Sequence, residues 1–525
     1  MRRGWADALP VALWLLGAVY LVWWGTHNPC SDGFQNEYLH HGNALDLWGA
    51  LVDLDQYHLR WYAYTAYWPF GFLVVPWPAM AVLGPTRMAL LLGNLVHLAA
   101  LLWGGWRMGR TLGAPLAPAL LVLTPAAFGA LVRFEPNLAT MGWTAAGLAC
   151  LVESQGLRSR RWALGWGLCL GLGLMFDRLT VGFFLVPAVI PVLLEPERRA
   201  RSHAAMGLGL ALVLTVAWYR EFFLRHSDEV LGQAPVGEID AAGELFVQTG
   251  PLRHAYYLLS LIDGQAGPLI GVLALVGVAD LLRRGWRDGL SRSESALLWA
   301  AAPALVFFTM VAKKQPWYTF PALVPLIVLG ARRPRFAALA AVGGVWAVGA
   351  QGLGLLPTGF PAGDWLPAPW VAPRYTLARP PSFEQWPIEE ALAALPPQPI
   401  DHIVVLSEDE RLFEGFLSLL VRGALPATKV DSVVGNPVGV YELLDEQDAF
   451  LIAGPPGHGW PDAARIAAQL EADHYRLEAL PPVAEALSAH GAELVLAGRW
   501  AAGGAAADDI ELSLWVPAAD PPAAD

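Results

Sequence analysis

Twelve apolar runs fall between residues 9 and 356, at about 9–25, 71–84, 88–106, 115–132, 138–152, 163–176, 179–194, 204–223, 266–282, 295–312, 317–331 and 336–356. No soluble fold of 525 residues needs so many. A helix that crosses a bilayer needs about 20 apolar residues, so the pattern requires a polytopic α-helical membrane protein. With 24 Trp and only 15% charged residues, the composition agrees. The first run follows Arg2 and Arg3, lacks a small-residue cleavage site and ends on Trp23 and Trp24, where an aromatic belt belongs. It is expected to remain as the first span, not to be removed as a signal peptide.

Basic residues set the orientation. Arg107 with Arg110, Arg158 with Arg160 and Arg161, Arg198 with Arg199 and Arg201, Arg283 with Arg284 and Arg287, and Arg332 with Arg333 and Arg335 all lie between runs. Placing these clusters in the cytoplasm puts the segments 26–70, 132–137, 177–178, 224–265 and 313–316 on the outer side. Only one crossing is then allowed between residue 70 and Arg107, although two runs lie there. The weaker, Gly71 to Gly84, is short and broken by Pro76 and Pro78, and is expected to be re-entrant or interfacial. Eleven crossings result, or thirteen if some runs divide, with the amino terminus inside and the carboxyl-terminal part outside.

The net charge of -12 is unevenly placed. From residue 356 onward 25 Asp and Glu face 8 Lys and Arg, which leaves the first 355 residues at a net +5. That split separates a weakly basic membrane module, residues 1–356, from an acidic soluble part. An acidic surface excludes nucleic acid as a partner, since phosphate binding needs the opposite sign. Cys30, Cys150 and Cys169 fit neither metal-ligand spacing nor a disulfide framework. A proline-rich linker over 357–380 leads to a soluble α/β domain over 381–518, and 519–525 is expected to be disordered. Strands are expected at His402 to Leu406, Phe450 to Ala453, Glu493 to Ala497 and Ile510 to Val516, with a helix over Glu410 to Arg422. AGPPGHG, residues 453–459, lacks nucleotide-binding spacing and reads as a turn.

The chemistry gathers around Cys30 to Trp68, which places Asp32, Glu37, His40, His41, Asp46, Asp53, Asp55, His58 and Arg60 directly after the first span. Each alone fits a solvated loop with an amphipathic surface helix, but so many ionisable groups at a membrane boundary point to function. Three bends on the same side add cations: Arg133 with Glu135 in RFEPN, Asp177 with Arg178 in FDR, and Lys313 with Lys314 in KKQPWY. These groups also fit local ion pairs or lysines snorkelling to the interface. Taken together, cations at that height suit a lipid-borne phosphate and a carboxylate suits a general base. The runs between the bends are nearly uncharged, whereas a transporter places polar groups near the midplane.

The order of parts resembles the lipid-carrier-dependent glycosyltransferases of the GT-C type, a family that includes protein O-mannosyltransferases and the aminoarabinose transferase of lipid A. The resemblance covers about residues 1–355. It rests on SDGFQNEYLHHGNALDLW, YWPFGFLVVP, WRMGRTLGAPLAPALLVLTP, RFEPNLATMGW, WALGWGLCLGLGLMFDRLTVGFFLVP and KKQPWYTFPALVPLIVLGAR. It implies a bacterial plasma-membrane enzyme that moves a sugar from a polyprenyl-phosphate donor to a protein, lipid or glycan acceptor, with inversion and with no metal required. Asp32 is the position matching the family's catalytic aspartate, with Glu37 in that role if the register is shifted. Many members have adjacent Asp-Glu, whereas these two are five residues apart. Arg178 stands where relatives often carry lysine. The resemblance further implies that Arg133, Arg178, Lys313 and Lys314 hold the donor phosphate. His40, His41, Arg60, Glu135, Asp177 and Tyr318 are then expected to contact substrate. Two other readings stay open on sequence alone: a flippase for a lipid-linked sugar, and a scaffold for envelope assembly.

Overall fold

The computed structural model describes residues 4–27, 35–64, 69–177, 179–194, 197–232, 255–310 and 316–352, together with five strands between 402 and 517. The chain divides into two compact units. One holds residues 1–25, 44–84 and 88–381; the other holds 26–43, 85–87 and 382–525.

The first unit is helical throughout its described residues. The first span is α1 (Gly4–His27), and the polar stretch after it forms α2 (Gln35–Val52) and α3 (Gln56–Tyr64). Within this unit α2 buries Ala44, Leu47 and Ala50, one stripe at helical spacing, and leaves Asp46 and Asp53 exposed. Asp55 starts α3 by accepting hydrogen bonds from the backbone N–H groups of Tyr57 and His58 at 2.9 and 3.2 Å, the usual work of an N-cap carboxylate. This is the amphipathic surface arrangement expected of the loop.

The run at 71–84 forms two short pieces, α4 (Gly71–Val74) and α5 (Trp77–Leu83), separated at Val75 and Pro76. At about 1.5 Å per residue these pieces are too short to cross a hydrocarbon core of about 30 Å, in keeping with the re-entrant or interfacial expectation. The next run holds α6 (Arg87–Leu92) and α7 (Asn94–Leu112). Gly113 closes α7 at φ +75, with the Ala114 N–H bonded to the Gly109 carbonyl at 2.7 Å. The run at 115–132 is broken as well, into α8 (Ala117–Val122) and α9 (Pro125–Leu131). Thr124 makes that break tolerable inside a membrane. Its hydroxyl donates to the Leu121 carbonyl at 2.8 Å and accepts from the Ala127 N–H at 3.2 Å, with Pro125 at the first helical position.

Beyond them come α10 (Asn137–Glu153), α11 (Arg160–Phe176), α12 (Thr180–Leu185), α13 (Ile190–Leu194) and α14 (Arg198–Gly232). The series continues with α15 (Tyr256–Ser260), α16 (Pro268–Asp288), α17 (Arg292–Met310), α18 (Phe320–Gly330) and α19 (Pro334–Gly352). Within the described residues, every expected apolar run therefore lies on helix. Among the described residues four stretches reach spanning length and apolarity by themselves: Trp5–Thr26, Arg87–Leu112, Arg198–Arg225 and Arg292–Met310. The expected eleven crossings count the shorter and broken helices too. The protein is a polytopic helical membrane protein.

Ion pairs tie the basic clusters together at one end of the bundle. Arg107 meets Glu153 at 2.8 Å, and Arg110 lies 3.5 Å from Asp7 near the amino terminus. Glu197 receives both Arg158 at 2.9 Å and Arg292 at 3.2 Å. Burial opposes its charge, but the two guanidinium hydrogen bonds outweigh this and hold the carboxyl below its ordinary range. Glu294 joins Arg284 to Arg332, and Asp280 joins Arg284 to Arg333.

In the second unit the five strands are β1 (His402–Ser407), β2 (Lys429–Val433), β3 (Ala449–Gly454), β4 (Ala492–Trp500) and β5 (Ile510–Pro517). They form one sheet in the order β2-β1-β3-β5-β4, parallel across β2, β1 and β3 and antiparallel from β3 through β5 to β4. β1, β3, β4 and β5 occupy the four expected stretches, whereas β2 (KVDSV) is an addition to them. Parallel neighbours need crossovers of a dozen or more residues, and 408–428 and 434–448 are long enough. The expected helix at 410–422 and residues 455–459 of the turn lie outside the described residues.

Candidate functional site

The bend carrying Arg133 and Glu135 is held from below by two polar residues of α7. Asn94, completely buried, donates through its side-chain amide to the carbonyls of Leu131 at 3.0 Å and Arg133 at 2.7 Å, with Ala130 at 3.4 Å. Those carbonyls end α9 and have no helical partner, so Asn94 does inside the membrane module what water does elsewhere. Glu135 accepts from the Asn137 amide at 2.5 Å, which fixes the entry to α10. Arg133 and Glu135 are 6% and 4% exposed. Charged groups are costly to bury, and where they occur in membrane segments they mark function by default.

One turn further along α7, His97 joins this bend to the next. Its ring stacks on Phe72 at 5.7 Å between centroids and meets the edge of Phe176 at 5.1 Å. Phe72 in turn stacks on Phe134, the residue between Arg133 and Glu135, at 4.6 Å. The Trp143 indole N–H donates to His97 Nδ1 at 3.2 Å, which assigns the imidazole proton to Nε2. Phe176 is the last residue of α11, and Asp177 leaves the helix in an extended conformation. The bends at 133–135 and 176–177 therefore rest on one aromatic cluster with His97 at its centre.

Close backbone contact completes this arrangement. A Cβ on Gly71 would sit 2.5 Å from the Met175 carbonyl oxygen, so only glycine lets the start of α4 reach the end of α11. The Tyr219 hydroxyl donates to the Leu174 carbonyl at 3.2 Å, and Trp218 and Phe222 pack on Met175.

Tyr318 belongs to a neighbouring aromatic group. It stacks on Phe308 at 5.2 Å, and Phe308 contacts Phe183 of α12, the helix that follows the Asp177 bend. Beside it Gln265, at the end of a π-helical turn (Leu261–Gln265), donates to Ser260 at 2.9 Å and to the Thr319 hydroxyl at 3.0 Å. This buried polar group ties the segment after 254 to the one after 315.

In the second unit, His40 and His41 are both buried, and His41 feels the charge of Arg87. Burial first, and Arg87 next, push the His41 imidazole well below its ordinary value. Arg60 is exposed on α3, in a cleft with Arg220 and Arg225 of α14. Asp32, Arg178, Lys313 and Lys314 lie outside the described residues, as does the Glu37 side chain. Asn94, His97, Arg87 and Gln265 are not among the residues the sequence singles out. All four sit inside or beside apolar runs, where a lone polar residue gives no periodic signal.

No family model matches the chain. It is 25% identical over 268 residues to the undecaprenyl phosphate-alpha-4-amino-4-deoxy-L-arabinose arabinosyl transferase of Yersinia enterocolitica serotype O:8, a match covering 47% of this chain and 46% of that relative. The chain thus spans about half the length of the curated relative it matches. Its fold is similar to that of ArnT from Cupriavidus metallidurans bound to undecaprenyl phosphate, with a TM-score of 0.58 at 14% identity over 98% of both chains. It is also similar to the arabinofuranosyltransferase AftD from Mycobacteria, with a TM-score of 0.51 at 13% identity over 99% of this chain and 40% of that one. In fold, this chain is similar to these membrane transferases.

Proposed function

We propose that the protein is a membrane glycosyltransferase that moves a sugar from a polyprenyl-phosphate donor to an extracytoplasmic acceptor, with inversion at the anomeric carbon. The supporting observation is that two ion-bearing bends, at Arg133–Glu135 and at Asp177, are fixed on one rigid aromatic base around His97. Rigid placement of charged groups is what transition-state stabilisation requires. The fold and partial sequence likeness to an undecaprenyl-phosphate-linked arabinosyl transferase supports the donor class.

In this reading Asp32 or Glu37 takes the proton from an acceptor hydroxyl. The hydroxyl oxygen attacks the anomeric carbon from the face opposite the phosphate, and the bond from that carbon to the phosphate oxygen breaks. The electron pair leaves with the lipid phosphate, whose growing charge is met by Arg133, Arg178, Lys313 and Lys314. His40, His41, Glu135, Asp177 and Tyr318 shape the room around the sugar and acceptor. Holding both reactants in line removes much of the entropic barrier. In this reading the soluble domain expected over residues 381–518 belongs to the extracytoplasmic side.

The reading is tested by intact-mass analysis of envelope lipids and glycoproteins from cells with and without the protein. A sugar-sized mass lost from one acceptor class, with lipid-linked donor accumulating, is the expected result. Movement of donor across vesicle membranes with no covalent product would instead make the protein a flippase.

A further inference from the structure

The short helix α3 has a cleft along each side. On one side Tyr57, Arg60 and Trp61, which share a helix face at i, i+3 and i+4, line a groove of about 610 Å³ with Arg220, Glu221 and Arg225 of α14. On the other side Leu59 and Ala63 line a cleft of about 660 Å³ with Trp48, Phe70, Val74 and Trp77, without a charged residue in its lining.

The first groove is strongly cationic. Three guanidinium groups face one carboxylate, and that carboxylate lies 3.8 Å from Arg220. Arg60 and Arg225 have no acidic partner among the described residues. Arg220 and Arg225 end the apolar stretch Arg198–Arg225 of α14, next to Trp218 and Tyr219. An aromatic belt beside the first charges marks the level of lipid headgroups. A basic groove at that level is a recognised way of holding phosphate-bearing lipids. The apolar cleft lies across α3, and a helix is only about 10 Å wide, a distance an acyl chain outreaches.

We propose that α3 is a binding site for an anionic phospholipid of the surrounding bilayer, its phosphate held by Arg60, Arg220 and Arg225 and one acyl chain lying in the apolar cleft. This assigns Arg60 to lipid binding at the surface in place of substrate contact. The bound lipid would hold the polar loop after the first span against the outer end of α14, whatever reaction the protein performs.

The test is native mass spectrometry of the detergent-purified full chain, equilibrated with equal amounts of phosphatidylglycerol and phosphatidylcholine. The wild type is expected to retain phosphatidylglycerol about tenfold or more over phosphatidylcholine. The triple variant Arg60→Gln, Arg220→Gln, Arg225→Gln is expected to bring the ratio close to one. Ala217→Trp, which fills the groove without altering charge, is expected to lower it as well. Equal retention of both lipids by the wild type overturns the proposal, as does a ratio unchanged in both variants. Inorganic phosphate that displaces phosphatidylglycerol at millimolar concentration would assign the groove to a free anion and overturn it too. Displacement by stoichiometric undecaprenyl phosphate would assign the groove to a lipid carrier, with the same consequence.

Discussion

The side-chain amide of Asn94 donates to the main-chain carbonyl of Arg133 at 2.7 Å, across 39 residues of sequence. A buried amide in the first turn of one membrane helix thereby sets the end of another and the place where a cation leaves it. Asn94→Leu keeps the volume near that of the amide but strips these carbonyls of their donor. Leaving buried acceptors unsatisfied costs about 1–3 kcal/mol. The variant is expected to unfold at lower temperature in detergent and to lose sugar transfer chiefly in kcat, while Arg133 itself is untouched. Wild-type values in both measurements would mean that the bend holds itself.

Close packing between α7 and α10 has a sharper consequence. A Cβ on Gly142 would lie 2.4 Å from the His97 carbonyl oxygen, so Gly142→Ala must push apart the two helices that carry His97 and Trp143. Overpacking of this kind costs about 1–3 kcal/mol. At Gly49 of α2 the place a Cβ would take has no other atom within 4 Å, and Ala there is expected to stabilise by about 0.5–1 kcal/mol through helix propensity. Thermal unfolding of the two variants should therefore move in opposite directions.

Hydropathy makes the helical part of this fold legible. Within the described residues each apolar run lies on helix, and Pro76 with Pro78 marks the break between α4 and α5. The break at Thr124 is marked in the sequence only by Thr124 and Pro125, within residues otherwise as apolar as the helices they join. Strands β1, β3, β4 and β5 show as apolar runs, while β2 has only two apolar residues, Val430 and Val433, in five positions and no regular alternation. The charged bends are visible as isolated ions between runs. Their support is not, because Asn94 and His97 mean something only once residues 25 to 79 positions away are folded against them.

The pH dependence of stability should carry a signature of His41. Burial and Arg87 depress its folded pKa, whereas the unfolded imidazole titrates near about 6.5. Below that value the unfolded chain takes up a proton that the folded chain refuses. The His41 contribution is therefore fully present above about pH 6.5 and is lost as pH falls toward the depressed folded value. Unfolding midpoints of the full chain between about pH 7.5 and 5 should fall more steeply for the wild type than for His41→Gln. Parallel curves would show that His41 protonates equally in both states.

The central claim is that a carboxylate of the first polar loop starts sugar transfer from a lipid phosphate. Its most direct measurement is the rate at which the purified full chain releases undecaprenyl phosphate from a sugar-charged donor, compared with Asp32→Asn and Glu37→Gln. Loss of a general base removes about a hundredfold or more, so one of the two variants is expected to fall by that amount while inserting and unfolding as the wild type does. Full wild-type rates in both would contradict the account.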